Sequence, residues 1–498
     1  MDPAPDRPFA ALRETHSGVV ILLGDRVYKS KKPIRTEFLD FRTRAARRTA
    51  CDREVELNRR LAPDVYLGVS ELGDPGGGDG EPLVVMRRMP DPARLSTIVA
   101  ATAPDSVPSA VHAQIDAIAE IVADFHRGAD RGPTIDREGT ADAVRRRWHD
   151  NIRETRQLDQ SVLAADRLDR LRRAVDRYLD GRGPLFAARI AERRIVDGHA
   201  DLLADDIFCL ADGPRILDCL EFDDRLRYVD GLDDTACLAM DLEFLGYPEL
   251  GTRLLRRYTS RIGDTAPASL EHHYIAYRAF MRAKVDCVRY LQGRDDSAQD
   301  ARRHLALAES HLARGAVRLA LVGGVPATGK STVASRLADA TGAVLVSSDR
   351  IRREIFADDR AARPSAGYRT GRYSPESTAL VYATMLDHAM QALNHGRSVV
   401  LDASWSDETL RRHASETATR AHADLLSLRC TVPADVAAAR LRERAAARRD
   451  PDSEATPAVA TAMAADLDPW PGVTDIDTTG TVEHSVRIAL DRWAADPD

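Results

Sequence analysis

At 498 residues the chain exceeds what one ordinary hydrophobic core organises, so two or three domains are expected. With 44% hydrophobic and 30% charged residues the composition is that of a soluble globular protein, and a net charge of −7 with both signs interspersed excludes a broad electrostatic pull toward nucleic acid or an anionic membrane. No apolar run approaches the roughly 20 residues that span a bilayer, the opening MDPAPDRPFA has no signal-peptide pattern, and the six scattered cysteines suit neither disulfides nor a zinc site, so a cytoplasmic location is expected.

From His16 to about Met89 the pattern is that of a small sheet with one helix. GVVILLG and RVYKSKKPI are rich in β-branched residues and meet at Gly24-Asp25, a hairpin signal. ARRTACDREVELNRRLA has helical periodicity and stops at Pro63, while YLGVSEL and PLVVMRRM read as strands around the glycine-rich loop GDPGGGDGEP. The periodicity predicts helices from Val111 to Tyr178. RIVDGHADLLADDIFCLADGPRILDCLEFDD then breaks into short strands, and helices resume to about Ala313. Past Gly315 strands and helices alternate strictly, with strands at VRLALVGG, AVLVSSD, SVVLDAS, LLSLRCTV and DIDT. Gly342 and Gly396 stand where helix-ending C′ residues belong. This alternation predicts a parallel, doubly wound sheet, and the main domain boundary falls near Arg314.

Gly324, Val325, Pro326, Ala327, Thr328, Gly329, Lys330 and Ser331 fit GxxxxGK[ST] in full, with Thr332 continuing into the helix. Glycines let backbone N–H groups turn inward around phosphate oxygens, and the following helix adds its N-terminal dipole. Lys330 would reach the β- and γ-phosphates and the Ser331 hydroxyl would ligate Mg²⁺. Lys330 is one of five lysines in a chain whose basic charge is otherwise arginine, which makes a chance match rare. The next strand ends in SSDRIRREIF, expected to lie beside the phosphate loop at the crevice where α/β sheets bind ligands. Asp349 there could take the proton of an attacking hydroxyl, and Arg352, one helical turn on, could hold an anionic group. Asp402, closing the strand SVVLDAS, stands where a carboxylate near Mg²⁺ would sit. Arg440, Arg444 and Arg448 recur on one helical face that runs into a loop with Asp450, Pro451 and Ser453, the pattern of a lid carrying arginine to a phosphoryl group.

Together these residues resemble the small P-loop kinases of the gluconate kinase, polynucleotide kinase and zeta-toxin type, over about Arg314 to Asp498. The resemblance implies ATP and Mg²⁺ as cofactors, Asp349 and Arg352 as substrate base and anion-binding arginine, and Arg444 and Arg448 on the lid, followed by Ser453-Glu454-Ala455. The front half, at HADLLADDIF and ILDCLEFDD, resembles the catalytic segment of the aminoglycoside phosphotransferase and choline kinase superfamily. That resemblance implies a bilobal, protein-kinase-like fold over residues 1–314, with its N-lobe at about 15–92, ahead of a P-loop α/β/α domain over 315–498. It further implies Asp201 as the base, Asp206 and Asp218 as Mg²⁺ ligands, Lys29 or Lys31 as the phosphate-contacting lysine, and Glu54 as its helix partner. Lys29 and Lys31 share a strand face, so their spacing does not choose between them. Two residues depart from the pattern: Ala200 stands for a usual Gly and Asp206 for a usual Asn. The function implied is ATP-dependent phosphoryl transfer to a small hydroxylated acceptor such as a sugar, an aminoglycoside or a related polyol. Two other readings are an ATP-binding regulator with an inactive front domain and a 5′-hydroxyl polynucleotide kinase.

Overall fold

The computed structural model describes residues 8–14, 18–35, 40–73, 76–77, 79–159, 161–357, 369–447 and 456–495, apart from the side chains of 444, 445 and 447. The chain divides into two compact units, residues 1–168 with 187–266 and 273–311, and residues 169–186 with 267–272 and 312–498.

In the first unit, β1 (Ala10–Glu14), β2 (Gly18–Leu23), β3 (Arg26–Lys31), β4 (Tyr66–Leu72) and β5 (Glu81–Arg87) form an antiparallel sheet in the order β1-β2-β3-β5-β4. The turn between β2 and β3 falls on Gly24-Asp25, with Gly24 at φ 58, as a two-residue hairpin of this twist requires. β1 escaped the sequence pattern because it is an exposed edge strand, and only Ala11 of its five residues is half-buried. The helix Arg44–Asn58 starts at Thr43, whose hydroxyl accepts the Ala46 N–H, and buries Cys51 and Val55 against Tyr66, Val84 and Met86 of the sheet.

The helical remainder of this unit carries two short antiparallel strand pairs. β6 (Ile195–Asp197) pairs with β9 (Tyr228–Asp230), and β7 (Ile207–Leu210) pairs with β8 (Gly213–Ile216). The helix Gly231–Phe244 is buried on every side from Gly231 to Met240, so its two aspartates, Asp233 and Asp234, must find partners inside the protein.

In the second unit, β10 (Arg318–Gly323), β11 (Val344–Ser347), β12 (Val399–Asp402), β13 (Asp424–Thr431) and β14 (Thr474–Asp477) form a parallel sheet ordered β11-β12-β10-β13-β14. Every residue of β10 and β12 is buried, the signature of central parallel strands covered by helices on both faces. All five strands stand where the alternation placed them, and Gly342 (φ 68) and Gly396 (φ 75) close their helices in the left-handed conformation. The neighbour of the phosphate-loop strand differs from expectation. β11, which leads to Asp349, is separated from β10 by β12, because the chain crosses over one strand position before returning. Among the described residues no helix is long and apolar enough to cross a membrane.

Candidate active sites

In the second unit, the phosphate loop leaves β10 at Gly323. A β-carbon there would lie 2.5 Å from the Trp470 ring, and one at Gly324 (φ 141) would lie 2.5 Å from the Thr328 hydroxyl oxygen, so neither position admits a side chain. Ala327 (φ 69) and Gly329 (φ 85) complete the turn into the helix Lys330–Thr341. Its first N–H groups have no partner within the helix and stand free for an anion. The loop's carbonyls are tied down: the Thr478 hydroxyl donates to Thr328 O at 2.6 Å, and Arg440 Nη1 donates to Ala327 O at 3.3 Å. Arg440 Nη2 also donates to Thr478 O at 2.7 Å. Arg440 thus braces the loop. The Arg444 side chain, Arg448, Asp450, Pro451 and Ser453-Glu454-Ala455 lie outside the described residues.

Strand register brings the remaining residues to the same end of the sheet. Asp402 stands opposite Val322 of β10 and Ser347 of β11, and the Ser331 and Ser347 hydroxyls favour the charged form of its carboxylate. Its Oδ1 is buried without a hydrogen-bond partner. Burial pushes the Asp402 carboxyl up, Lys330 pulls it back, and the charge of Asp349 pushes it further up. Asp349 lies in the first turn of the helix Ser348–Ile355, where Arg352 Nη1 reaches its Oδ1 at 3.2 Å. Arg352 is buried, stacks 4.4 Å over the Tyr373 ring, and leaves its Nε without a partner. Lys330 is half-buried, and Ser331 and Thr332 are exposed. The Ser331 hydroxyl and the unpartnered Asp402 oxygen suit Mg²⁺, a hard cation that keeps several waters and binds through one or two carboxylates plus phosphate oxygens.

Thr478 was not singled out from the sequence, although a threonine directly after the last strand of a parallel sheet sits at the ligand-binding end. Thr478→Val keeps the shape and removes the donor, leaving the Thr328 carbonyl unsatisfied. It should weaken ATP binding about tenfold, the equivalent of a lost hydrogen bond of about 1–1.5 kcal/mol. Thr478→Ser should restore it, as followed by titration with a fluorescent ATP analogue.

In the first unit the segment after β6 is held by one carboxylate. Asp234 accepts the N–H of His199 at 2.6 Å and of Ala200 at 2.8 Å, and His126 Nε2 donates to the same carboxylate at 2.9 Å. Burial opposes the charge, but the His126 hydrogen bond and nearby cations hold the Asp234 carboxyl well below the usual range. His199 Nε2 donates to Leu217 O, and its Nδ1 accepts the Asp201 N–H at 3.3 Å, so Asp201 is tied to the strand that leads to Asp218. Arg282 lies 3.9 Å from the Asp201 carboxylate.

Both candidate lysines meet Glu54. Lys29 Nζ sits 2.7 Å from Glu54 Oε1 and 2.7 Å from Asp218 Oδ1, while Lys31 Nζ sits 2.7 Å from Glu54 Oε2 and also pairs with Glu221. The lysine that joins Glu54 to Asp218 is Lys29. Burial alone would lower its ammonium, but the charges of Asp218 and Glu54 raise it well above the ordinary range. Asp218, exposed and in the left-handed region at φ 66, is held low by Lys29. Asp206 is pushed well up, first by burial and then by Asp218 and Asp201. This excess of oxygen-borne negative charge is what a divalent cation would relieve, so Asp206 and Asp218 fit Mg²⁺ as well.

Ala200 adopts φ 75, so the position demands the left-handed backbone that glycine takes freely. Relief of about 1–2 kcal/mol of strain should offset the buried methyl, about 0.8, and the glycine entropy, about 0.7. Ala200→Gly should therefore leave the urea midpoint nearly unchanged, where a buried Ala→Gly at an ordinary φ would cost about 1.5 kcal/mol.

Residues 319–470 match the family model of the AAA domain, AAA_33. The chain is 48% identical over 491 residues to the uncharacterized protein Rv2004c of Mycobacterium tuberculosis, covering 99% of this chain and 97% of that protein. Among solved structures, a putative kinase from Chloroflexus aurantiacus is similar at 22% identity over 35% of this chain and 98% of its own, with a TM-score of 0.29. A choline/ethanolamine kinase family protein from Mesorhizobium loti is similar at 15% identity over 61% of this chain and 87% of its own, with a TM-score of 0.36. Identity sustained along nearly the whole length of both chains places this protein in the family of Rv2004c, with an AAA-type P-loop domain as its C-terminal part.

Proposed function

We propose that the protein is an ATP- and Mg²⁺-dependent phosphotransferase acting on a small hydroxylated acceptor, a sugar, aminoglycoside or related polyol, with the P-loop domain over residues 315–498 as its working site. The observation that carries this reading is the convergence on Asp402 of the Ser331 hydroxyl, the Lys330 ammonium and the Asp349 carboxylate, with Arg352 fixed beside Asp349. A nucleotide-binding regulator needs the loop, but it has no use for a carboxylate and a guanidinium set at the acceptor side.

In this reading the N–H groups at the start of the helix Lys330–Thr341 and the Lys330 ammonium hold the terminal phosphates. Ser331 and Asp402 would hold Mg²⁺, which when bound neutralises charge on the phosphate oxygens. Asp349 accepts the proton of the acceptor hydroxyl as its oxygen forms the new bond to the γ-phosphorus, and the bond to the β–γ bridging oxygen breaks with release of ADP. Arg352, buried and stacked on Tyr373, orients the acceptor. In the front domain, residues 1–314, Lys29, Glu54, Asp201, Asp206 and Asp218 form a second site of the same chemical type.

The test is ATP consumption across a panel of sugars, aminoglycosides, nucleosides and 5′-hydroxyl oligonucleotides, with Asp349→Asn and Asp201→Ala in parallel. The proposal expects acceptor-stimulated turnover that falls about 10²–10⁴-fold in Asp349→Asn, the usual worth of a general base, with ATP binding retained. Loss only in Asp201→Ala would move the chemistry to the front site. Background turnover with every acceptor would leave ATP-binding regulation as the function.

A further inference from the structure

The first unit contains a cleft of about 380 Å³ that shares no residue with the Lys29–Glu54–Asp218 cluster. Its size lies within the range of small-molecule sites. Five arginines line it, Arg127, Arg131, Arg189, Arg193 and Arg194, against the carboxylates of Glu192 and Asp230. Asp124 and Asp264, which pair with Arg127 and Arg189, still leave the guanidinium groups in excess.

Most of these arginines have structural duties. Arg189 is neutralised by Asp230 and Asp264. Arg131 spends its donors on the carbonyls of His126, Arg127, Ala129 and Arg193, and Arg194 donates to those of Ile262 and Gly263, so the two close the ends of the helices Ser109–Gly128 and Pro248–Ile262. Arg131 therefore brings a positive charge with no carboxylate partner among the described residues, and burial together with Arg193 and Arg194 lowers its pKa. Arg193 is different. It is exposed, makes no ion pair among the described residues, and is held at φ 58, where a long side chain rarely sits. That strained backbone, whose carbonyl is fixed by Arg131, sets Arg193 at the cleft.

The inner wall connects to the catalytic segment. The Tyr258 hydroxyl donates to His126 Nδ1 at 2.8 Å, and both residues line the cleft. His126 in turn donates to Asp234, the carboxylate that holds the N–H groups of His199 and Ala200.

We propose that this cleft is a binding site for a small anion bearing phosphoryl groups, with Arg193 and Arg127 as the guanidinium groups that reach it and the His126–Asp234 contact as its link to the segment His199–Asp201. The planar, multi-donor guanidinium suits phosphate oxygens better than any other side chain here.

Inorganic pyrophosphate is the probe, titrated calorimetrically into the full-length Lys330→Ala protein so that the phosphate loop contributes little. The expected result is saturable binding that weakens at least about tenfold on adding Arg127→Glu and Arg193→Glu, with Arg193→Ala giving a smaller loss in the same direction. Both side chains are on the surface, and far-UV circular dichroism verifies that the variants fold. Hydrogen exchange should slow with pyrophosphate in peptides covering 126–131 and 193–203. Absence of saturable binding, unchanged affinity in the charge-reversed protein, or protection confined to peptides around 29, 54 and 218 would each overturn the proposal.

Discussion

Under the proposed function, Lys330→Ala should lower acceptor-dependent ATP turnover by about 10³-fold, the usual loss when a preorganised charge is removed from a phosphoryl-transfer site. The reason lies in what else the loop contains. The ammonium is the only side-chain cation of the GxxxxGKS stretch, and the backbone N–H groups that share its work are dipoles, not charges. Removing Lys330 also takes away the cation that favours the charged form of Asp402 against burial and Asp349. The expected signature in steady-state kinetics is a fall in kcat larger than the rise in KM for ATP. Lys330→Arg should recover little, because a planar fork does not replace a compact ammonium in a loop braced by Thr478 and Arg440. Circular dichroism should show the fold unchanged, since Lys330 is only half-buried and leaves no core cavity.

Arg189→Met destabilises the first unit by about 3–5 kcal/mol at neutral pH, the cost of stripping a buried charge of its partner. Arg189 donates from Nε to Asp230 at 2.7 Å and from Nη1 to Asp264 at 2.5 Å, and all three side chains are almost wholly buried. Both aspartates have other duties that keep them in place: Asp230 caps the helix Gly231–Phe244 at the Leu232 N–H, and Asp264 accepts the Ala266 N–H. Met fills the volume but removes the cation that the two carboxylates share. The pH dependence follows. In the native protein burial would raise the Asp264 carboxyl, but Arg189 lowers it, so its contribution is present above the ordinary carboxylate range and is lost as pH falls through the lowered value. In the variant the strongest opposition to burial is gone, with only the Arg194 charge and the Ala266 N–H left to favour the carboxylate, so Asp264 titrates upward and acid relieves it. Urea unfolding should show a large gap between the two proteins at pH 7.5 and a smaller one at pH 5.

How much of this was readable in the residues depended on how local the signal was. The strands of the parallel sheet announce themselves as unbroken apolar runs, because a strand buried on both faces has no polar side to confuse the pattern. The GxxxxGKS loop fits within one turn of chain, and Lys29, Lys31 and Glu54 are constrained by strand parity and one helix. Topology is not local. Nothing in VLVSSD says that β12 inserts between its strand and the phosphate-loop strand. Arg440 shows the same limit from another side: its spacing to Arg444 and Arg448 is periodic, but its partner Thr478 lies 38 residues away, and only the fold reveals a brace. Ala200 was visible as a departure, and its φ of 75 supplies the reason a glycine would suit the position. Thr478, His126 and Asp234 carry no motif at all.

The unit that holds the phosphate loop does not consist of one continuous piece of chain. Residues 169–186 and 267–272 belong to it with 312–498, and the join is made by a fully buried arginine. Arg182 donates to the Ala421 carbonyl at 2.9 Å, while the Ser269 hydroxyl donates to Gly396 O at 2.7 Å. Such a unit is not a portable cassette. A gene fragment cut at a single point to isolate the kinase-like C-terminal portion would lose those donors and bare the Ala421 and Gly396 carbonyls they serve. Moving this portion onto a new partner would require carrying two upstream, largely helical segments with it. The packing of the phosphate-loop unit therefore depends on chain that lies well upstream of its sheet.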